Sequence, residues 1–187
     1  MEKIVEITYL ELERTEAPNT DRPLPDGFAL VRMRTPQPEV NRFLYTAVGG
    51  AWYWVDQLGR TFAWWRDRVQ APGFETWLLM EEGSIAGYFE LEPKGGDVLE
   101  LAYFGLLPPY VDRGGLGGPL LRAAIGRAWE AGANRLQVET CSLDHPAALA
   151  NYRARGFRVV RTATHSRTLP DEPVGPWPGC GSSTADR

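Results

Sequence analysis

The sequence predicts an α/β (α+β) fold with a mixed central sheet of about seven strands and about four flanking helices. Three neighbouring strand patterns, at 75–81, 84–92 and 98–107, are joined only by short turns, which is typical of antiparallel pairing. Helix and strand patterns then alternate, and this order places a strand at 136–140 parallel to the one at 98–107. We therefore expect a sheet that is antiparallel in its first half and parallel where the later strands join it.

The first strand is predicted at residues 4–12, where apolar and polar side chains alternate. On this pattern Val5, Ile7 and Tyr9 share one face. A second, short strand is expected at 28–33.

Two helices are predicted between these strands and the antiparallel group. The first covers 35–49, with prolines in its first turn and Gly49-Gly50 at its end. The second covers 61–70, and both have apolar residues at helical spacing. The side chains expected to face inward are Val40, Phe43, Leu44, Ala47 and Val48 in the first helix and Phe62, Trp65 and Val69 in the second.

Two more helices and a final strand are predicted in the last third of the chain. One helix covers 119–131 and ends at Gly132, and the other runs from Asp144 to Gly156. The final strand is expected at 157–162. The side chains expected to face inward from the helix at 119–131 are Leu120, Leu121, Ala124, Ile125, Ala128 and Trp129.

Composition limits the class of protein. The chain has 187 residues, 43% of them hydrophobic, which fits one globular domain over 1–168. Residues 169–187 are rich in proline and glycine and are expected to form a flexible tail. The net charge of −4 is unlike the basic balance of a nucleic-acid binder. The charged N-terminus lacks a signal-peptide core and no apolar run could span a membrane, so we expect a cytoplasmic protein without nucleic-acid or membrane partners.

The cysteines give no sign of a metal site. Cys141 and Cys180 lie far apart and form no cluster with the two histidines. We therefore expect neither a bound metal nor a disulfide framework.

The stretch at 98–121 carries the clearest functional pattern. An apolar strand ends at Pro108-Pro109, and Arg113 is then followed by glycines at 114, 115, 117 and 118 and by a helix that opens at Pro119. A strand that leads through a glycine turn into a helix can hold a phosphate, because backbone N–H groups and the positive end of the helix dipole meet there.

Two nucleotide-binding motifs do not fit this turn. A Walker A loop ends in Gly-Lys-Ser/Thr, whereas this turn ends in Gly117-Gly118-Pro119. A dinucleotide fingerprint needs a third glycine where this chain has Leu120, and it follows an early strand of a parallel sheet.

The segment LLPPYVDRGGLGG at 106–118 resembles the acetyl-CoA motif of the GCN5-related N-acetyltransferases, the GNAT family. Two registers of the family's Gln/Arg-x-x-Gly-x-Gly/Ala pattern fit. One aligns Gly115 and Gly117 and puts Asp112 where Gln or Arg is usual; the other aligns Arg113 and puts Leu116 on the first glycine. We prefer the first, because the backbone requires the glycines. A second segment, ALANYRARGF at 148–157, resembles the family's second coenzyme A motif.

The resemblance implies an N-acetyltransferase that transfers an acetyl group from acetyl-CoA to a primary amine, in one ternary complex and without a metal. It also leaves open a homodimer. A non-catalytic acyl-CoA sensor or interaction module with the same fold is the alternative. The residues that the resemblance assigns to acetyl-CoA are Leu106, Leu107, Asp112, Arg113, Gly114, Gly115, Gly117, Gly118, Asn151 and Tyr152.

Three residues are assigned chemical roles by the same resemblance. The backbone N–H of Leu106 would polarise the acetyl carbonyl. Glu100 would accept the proton of the amine, although it could equally be a solvent-facing strand residue. Tyr152 would protonate the departing thiolate, although it could equally be a half-buried helix aromatic. His145 stands where relatives often carry Asn, and it either caps the helix or touches the cofactor.

The acceptor is expected to be a small-molecule amine rather than a protein. Five of the seven tryptophans lie between Trp52 and Trp77, either as core packing or as an aromatic wall for a cation or a flat ring. The residues predicted to contact the acceptor are Tyr45, Trp52 and Trp54.

Overall fold

The computed structural model describes residues 1–17, 23–111 and 113–177. Within these ranges the chain forms seven strands and four α-helices. The strands are β1 (Glu2–Glu13), β2 (Phe28–Arg32), β3 (Glu75–Glu81), β4 (Ser84–Gly95), β5 (Val98–Leu106), β6 (Arg135–Cys141) and β7 (Arg158–Thr168). The helices are α1 (Pro38–Gly49), α2 (Phe62–Val69), α3 (Gly117–Glu130) and α4 (Ala148–Arg153).

The strands form one mixed sheet in the order β2-β3-β4-β5-β6-β1-β7. Strands β2 to β5 pair antiparallel, and β6 pairs parallel to β5, as the sequence predicts. The parallel pairing lasts only from Val98/Arg135 to Glu100/Gln137. Beyond these residues β5 and β6 separate, and an opening forms in the middle of the sheet.

The position of β1 is not evident from the sequence. It lies between β6 and β7 and pairs antiparallel with both. Its buried residues are Val5, Thr8, Leu10 and Leu12, so the alternation changes phase along the strand. The register with β7 is unbroken from Val5 to Tyr9, so Val5, Ile7 and Tyr9 share one face as predicted, and the buried residues Thr8, Leu10 and Leu12 lie on the other face. The register shifts only between Tyr9 and Leu10, where β7 carries one extra residue.

Two cores lie on opposite faces of the sheet. The larger one packs α3 and α4 against β4, β5, β6 and β1. All six side chains predicted to face inward from α3 are buried. The smaller core packs Leu44 and Val48 of α1 against Tyr88 of β4. Phe43 and Phe62 differ from the prediction, because they are 42% and 58% exposed.

The start of the predicted tail packs against the domain. Leu169 is buried, and a Cβ added to Gly50 would lie 2.4 Å from the carbonyl oxygen of Val174. The close contact explains why a glycine stands at position 50. Residues 178–187, including Cys180, lie outside the described part of the chain.

A buried ion pair connects α2 to the sheet. The Glu90 carboxylate on β4 is fully buried, and it accepts hydrogen bonds from Arg68 of α2 at 2.5 Å and from Asn41 of α1 at 2.7 Å. Arg68 also pairs with Glu92 at 2.8 Å. Burial raises the pKa of the Glu90 carboxyl, and the adjacent guanidinium opposes that rise. A carboxylate buried this deeply requires its cation.

We predict that Arg68→Ala lowers the free energy of unfolding by about 3–5 kcal/mol, because it leaves a buried carboxylate without its partner. Urea denaturation measures the change. Arg66→Ala is the matched control on the same helix, since Arg66 pairs with Asp67 at the surface, and its effect should stay below about 1 kcal/mol. Equal effects of the two variants would contradict a structural role for the Arg68–Glu90 pair.

Candidate active site

The separation of β5 and β6 opens into a cavity of about 500 Å³. One side of the cavity is β5 from 101 to 106, and another is the first turn of α3. Residues of α4 and its flanks complete the side near α3: Ala147, Ala148, Ala150, Asn151, Tyr152 and Arg155. The other end is lined by Val48, Trp52, Trp54, Glu139, Asp144 and His145.

A bulge at Ala102 changes which side chains of β5 face the cavity. Leu91 pairs with Leu101 and Glu90 pairs with Tyr103, so Ala102 is an extra residue in β5. Because paired residues share a face, Glu100 lies on the face of Glu92, and Phe104 lies on the opposite face with Phe89. A regular strand would put Glu100 and Phe104 on one face, and the bulge places them on opposite faces.

The backbone of Leu106 points into the opening. Leu107 donates its N–H to Ala86 of β4 at 2.9 Å, and Leu106 stands opposite Gly87. Along a strand in an antiparallel pair, successive N–H groups point to alternate sides, so Leu106, the residue before Leu107, turns its N–H away from β4. The Leu106 N–H is thus directed toward the side where β6 has left, as the resemblance requires. Leu107, by contrast, packs against both cores and does not line the cavity.

The glycine turn leads directly into α3. Gly114 and Gly115 have φ of +72° and +69°, a conformation that favours glycine, and the helix begins at Gly117 rather than at Pro119. Gly115, Gly117 and Gly118 line the cavity. In the first turn of α3, Pro119 has no N–H and Gly118 donates its N–H to the Gly115 carbonyl at 3.3 Å, so Gly117 offers the backbone N–H that is available to an anion. Asp112 lies outside the described residues.

The positive charge at this turn comes from Arg155 and Arg122, which the sequence motif did not indicate. Arg113 pairs with Glu81 at 3.2 Å and does not line the cavity. Arg155 does line it, and a Cβ added to Gly118 would lie 2.1 Å from the Arg155 Nη2 and 3.9 Å from the Arg122 Nη1. In the sequence, Arg155 is marked only as the second arginine of the ALANYRARGF segment.

Two guanidinium groups therefore lie beside the first turn of α3. Burial and the nearby Arg122 lower the pKa of Arg155. The Nε of Arg122 is buried and makes no hydrogen bond within the described part of the chain. Two adjacent like charges, one with an unsatisfied donor, are the arrangement expected around a bound phosphate.

Tyr152 and Asn151 both line the cavity from α4. Tyr152 is buried between Phe104 and Phe157, with ring centroids 6.1 and 5.7 Å away. Burial, with a smaller contribution from Asp144, raises the pKa of its phenol, so the hydroxyl remains a proton donor at neutral pH. The side-chain amide of Asn151 donates to the carbonyl of Gly117 at 3.3 Å and ties α4 to the glycine turn.

Of the two glutamates Glu100 and Glu139, it is Glu139 that lines the cavity. Glu100 pairs with Lys94 at 2.6 Å and is not part of the lining. Glu139 lies two residues beyond the last β5–β6 pair and does line the cavity. Burial and the negative charge of Glu100 raise the pKa of Glu139, so its carboxylate is a stronger base than an exposed one.

Two of the three predicted acceptor residues lie in the cavity wall. The indole N–H of Trp54 donates to Asp144 at 3.1 Å, and the ring of Trp52 lies edge-on to His145 at 5.1 Å. Tyr45 is buried behind Trp54, at 5.6 Å between ring centroids, and does not line the cavity.

The helix predicted to start at Asp144 begins only at Ala148, and Asp144 instead closes the end of β6. Its Oδ2 accepts from the Thr140 hydroxyl at 2.7 Å and from the Cys141 N–H at 2.8 Å. Burial raises the pKa of the Cys141 thiol, and Cys141 does not line the cavity. The Nδ1 of His145 accepts from the backbone of Ala147 at 3.1 Å.

The described residues contain no group of three or more His, Cys, Asp and Glu side chains that could hold a metal ion. In the same ranges, none of the helices has the length and apolar character needed to cross a membrane.

Solved structures share this fold at low sequence identity. A GCN5-related N-acetyltransferase from Sphaerobacter thermophilus superposes with a TM-score of 0.66 at 18% identity, over 89% of this chain and 52% of that one. A GNAT family acetyltransferase from Elizabethkingia anophelis with acetyl-CoA bound gives 0.53 at 18% identity, over 73% and 79% of the two chains.

An aminoglycoside acetyltransferase from an uncultured soil metagenomic sample, in complex with sisomicin, gives a TM-score of 0.52 at 14% identity, over 70% of this chain and 86% of that one. The present chain spans about half the length of the Sphaerobacter protein. No curated protein is similar enough in sequence to be matched.

The family itself is shown by the sequence. The model of the Acetyltransferase (GNAT) family matches residues 38–157, which include α1, the split strands, the glycine turn and α4. This chain therefore belongs to the GNAT acetyltransferase family.

Proposed function

We propose that this chain is an acetyl-CoA-dependent N-acetyltransferase for a small-molecule primary amine. One observation carries the proposal: a single cavity connects the glycine turn and Arg155 at one end with Glu139 at the other, and passes Leu106 and Tyr152 between them. A site for an anion and a site for a base therefore share one channel. A homodimer and a cytoplasmic location remain predictions.

The anionic end fits the pyrophosphate and phosphate groups of coenzyme A. The guanidinium of Arg155 and the backbone N–H of Gly117 supply donors at the cavity wall, and Arg122 adds a second positive charge beside them. The absence of a side chain at Gly118 lets the Arg155 guanidinium lie against the first turn of α3, since a Cβ there would be 2.1 Å from the Arg155 Nη2 and would displace it. The pantetheine arm would then extend along β5 beside the separated part of the sheet.

Acetyl-CoA would supply a thioester whose carbonyl carbon is attacked by the amine, so that a C–N bond forms while the C–S bond breaks. The chain's own groups would act around that carbon. The Leu106 N–H, directed into the opening, donates a hydrogen bond to the carbonyl oxygen as negative charge develops on it. Such a donor contributes roughly 3–4 kcal/mol in comparable sites.

Two proton transfers complete the reaction. Glu139 accepts the proton that the amine must lose, and its raised pKa suits it to that role. Tyr152 gives its proton to the departing thiolate. Glu100 acts on the first of these steps indirectly, because its negative charge raises the pKa of Glu139.

We predict that Arg155→Ala raises the KM for acetyl-CoA at least tenfold, since a hydrogen bond to a charged group contributes about 1.5–3 kcal/mol. Steady-state kinetics at saturating amine measures the change, and kcat should fall much less. Arg113→Ala is the matched control, because Arg113 pairs with Glu81 outside the cavity. If Arg113→Ala had the larger effect, the placement of the phosphates beside Arg155 would be wrong.

We predict that Glu139→Gln lowers kcat/KM by a factor of about 10² to 10⁴, because a general base is lost. Glu100→Gln should leave the maximal rate nearly unchanged. It removes a negative charge that raises the pKa of Glu139, so the acidic limb of the pH–rate profile should move to lower pH.

The pH–rate profiles of the two variants distinguish the two carboxylates. A profile without an acidic limb in Glu139→Gln, together with a shifted one in Glu100→Gln, is the expected result. Loss of activity in Glu100→Gln with full activity in Glu139→Gln would assign the proton transfer to Glu100 instead.

A further inference from the structure

The amine end of the cavity has a distinct chemical character. Its walls are the side chains of Val48, Trp52, Trp54 and Tyr103, three of which are aromatic. Glu139, Asp144 and His145 line the same end, whereas Arg155 and the glycine turn line the coenzyme end. An acceptor seated here would meet flat, apolar surfaces on most sides.

The aromatic walls are held rigidly. Trp54 lies between Tyr45 and Tyr103, at 5.6 and 5.3 Å between ring centroids, and its N–H is bonded to Asp144. It approaches α1 so closely that a Cβ at Gly49 would lie 2.1 Å from the indole ring. Such a ring does not move aside for a bulky hydrophilic ligand, and the part of it that lines the cavity is an apolar aromatic surface.

Only one of the two carboxylates in this part of the cavity is available to a cation. The oxygens of Asp144 already accept from Trp54, Thr140 and Cys141. The Glu139 side chain makes no ion pair or hydrogen bond with another described residue, and Lys94 and Arg161 act on it only by longer-range electrostatic attraction. One free carboxylate matches one ammonium group, and further ammonium groups would face apolar walls without partners.

We infer that the acceptor is a primary monoamine whose amino group is joined by a short chain to a flat aromatic ring. This inference rests on the proposed function. The ammonium group approaches Glu139, and the ring lies against the surface that Trp52, Trp54 and Tyr103 present to the cavity. Polyamines and aminoglycosides, which carry several cations, are unfavourable in this site.

The test uses the full chain with acetyl-CoA and four amines: 2-phenylethylamine, 2-cyclohexylethylamine, spermidine and sisomicin. Release of free coenzyme A gives kcat/KM, and mass spectrometry identifies the product. We expect 2-phenylethylamine to exceed spermidine and sisomicin at least tenfold, and to exceed its saturated analogue several-fold, because aromatic contacts contribute about 0.5–1.5 kcal/mol. A preference for spermidine or sisomicin, or equal rates for the two monoamines, would overturn the inference.

A substitution of Trp52 tests whether the preference for an aromatic amine depends on the aromatic side chains of the cavity wall. Trp52→Ala should raise the KM for 2-phenylethylamine roughly tenfold and that for 2-cyclohexylethylamine less, with the KM for acetyl-CoA unchanged. Trp177→Ala is the control, since Trp177 is 64% exposed and outside the cavity lining. Equal losses with both monoamines would contradict an aromatic contact. Acetyl transfer to polycations alone would overturn the inference and leave the proposed function intact, whereas no transfer to any of the four amines would overturn both.

Discussion

The separation of β5 from β6 is the constraint on which the rest of the structure depends. Parallel pairing ends at Glu100/Gln137, although both strands continue. The freed edge of β5 carries the backbone N–H of Leu106, and the gap between the strands becomes the cavity. A continuous sheet would satisfy these backbone groups and leave no channel. The sheet thus gives up several hydrogen bonds where the chemistry is expected.

Strand β1 allows the sheet to tolerate that loss. Its pairing with β6 runs from Ile7/Cys141 to Glu13/Arg135, so β6 is held along its whole length from the other side. Leu10 and Leu12 of β1 are buried in the same core as α3. β6 can therefore leave β5 without fraying, and Glu139 keeps a fixed position in the cavity wall.

The sequence allowed the element types and the family to be predicted, because their signals are local. Helical spacing in α3 and the glycines before it depend on residues close together in the chain. Contacts between distant segments were not predictable in this way. The bulge at Ala102 has no signature in the alternation of β5, and it moves Glu100 to the opposite face from Phe104.

The partners of charged side chains were also not predictable from the sequence. Arg113 is adjacent to the glycines and was predicted to contact acetyl-CoA, but it forms an ion pair with Glu81. Arg155 is about forty residues away in sequence, and only the fold brings it beside Gly118. The sequence predicts a helix that starts at Asp144, whereas Asp144 accepts hydrogen bonds from β6 and from Trp54.

The most direct test of this account is a crystal structure of the protein with coenzyme A. We expect the pyrophosphate against the backbone N–H of Gly117 and the guanidinium of Arg155. The sulfur should lie within hydrogen-bonding distance of the Tyr152 hydroxyl, in the gap between β5 and β6. Coenzyme A bound outside this gap, or with its sulfur directed away from Tyr152 and Glu139, would contradict the account.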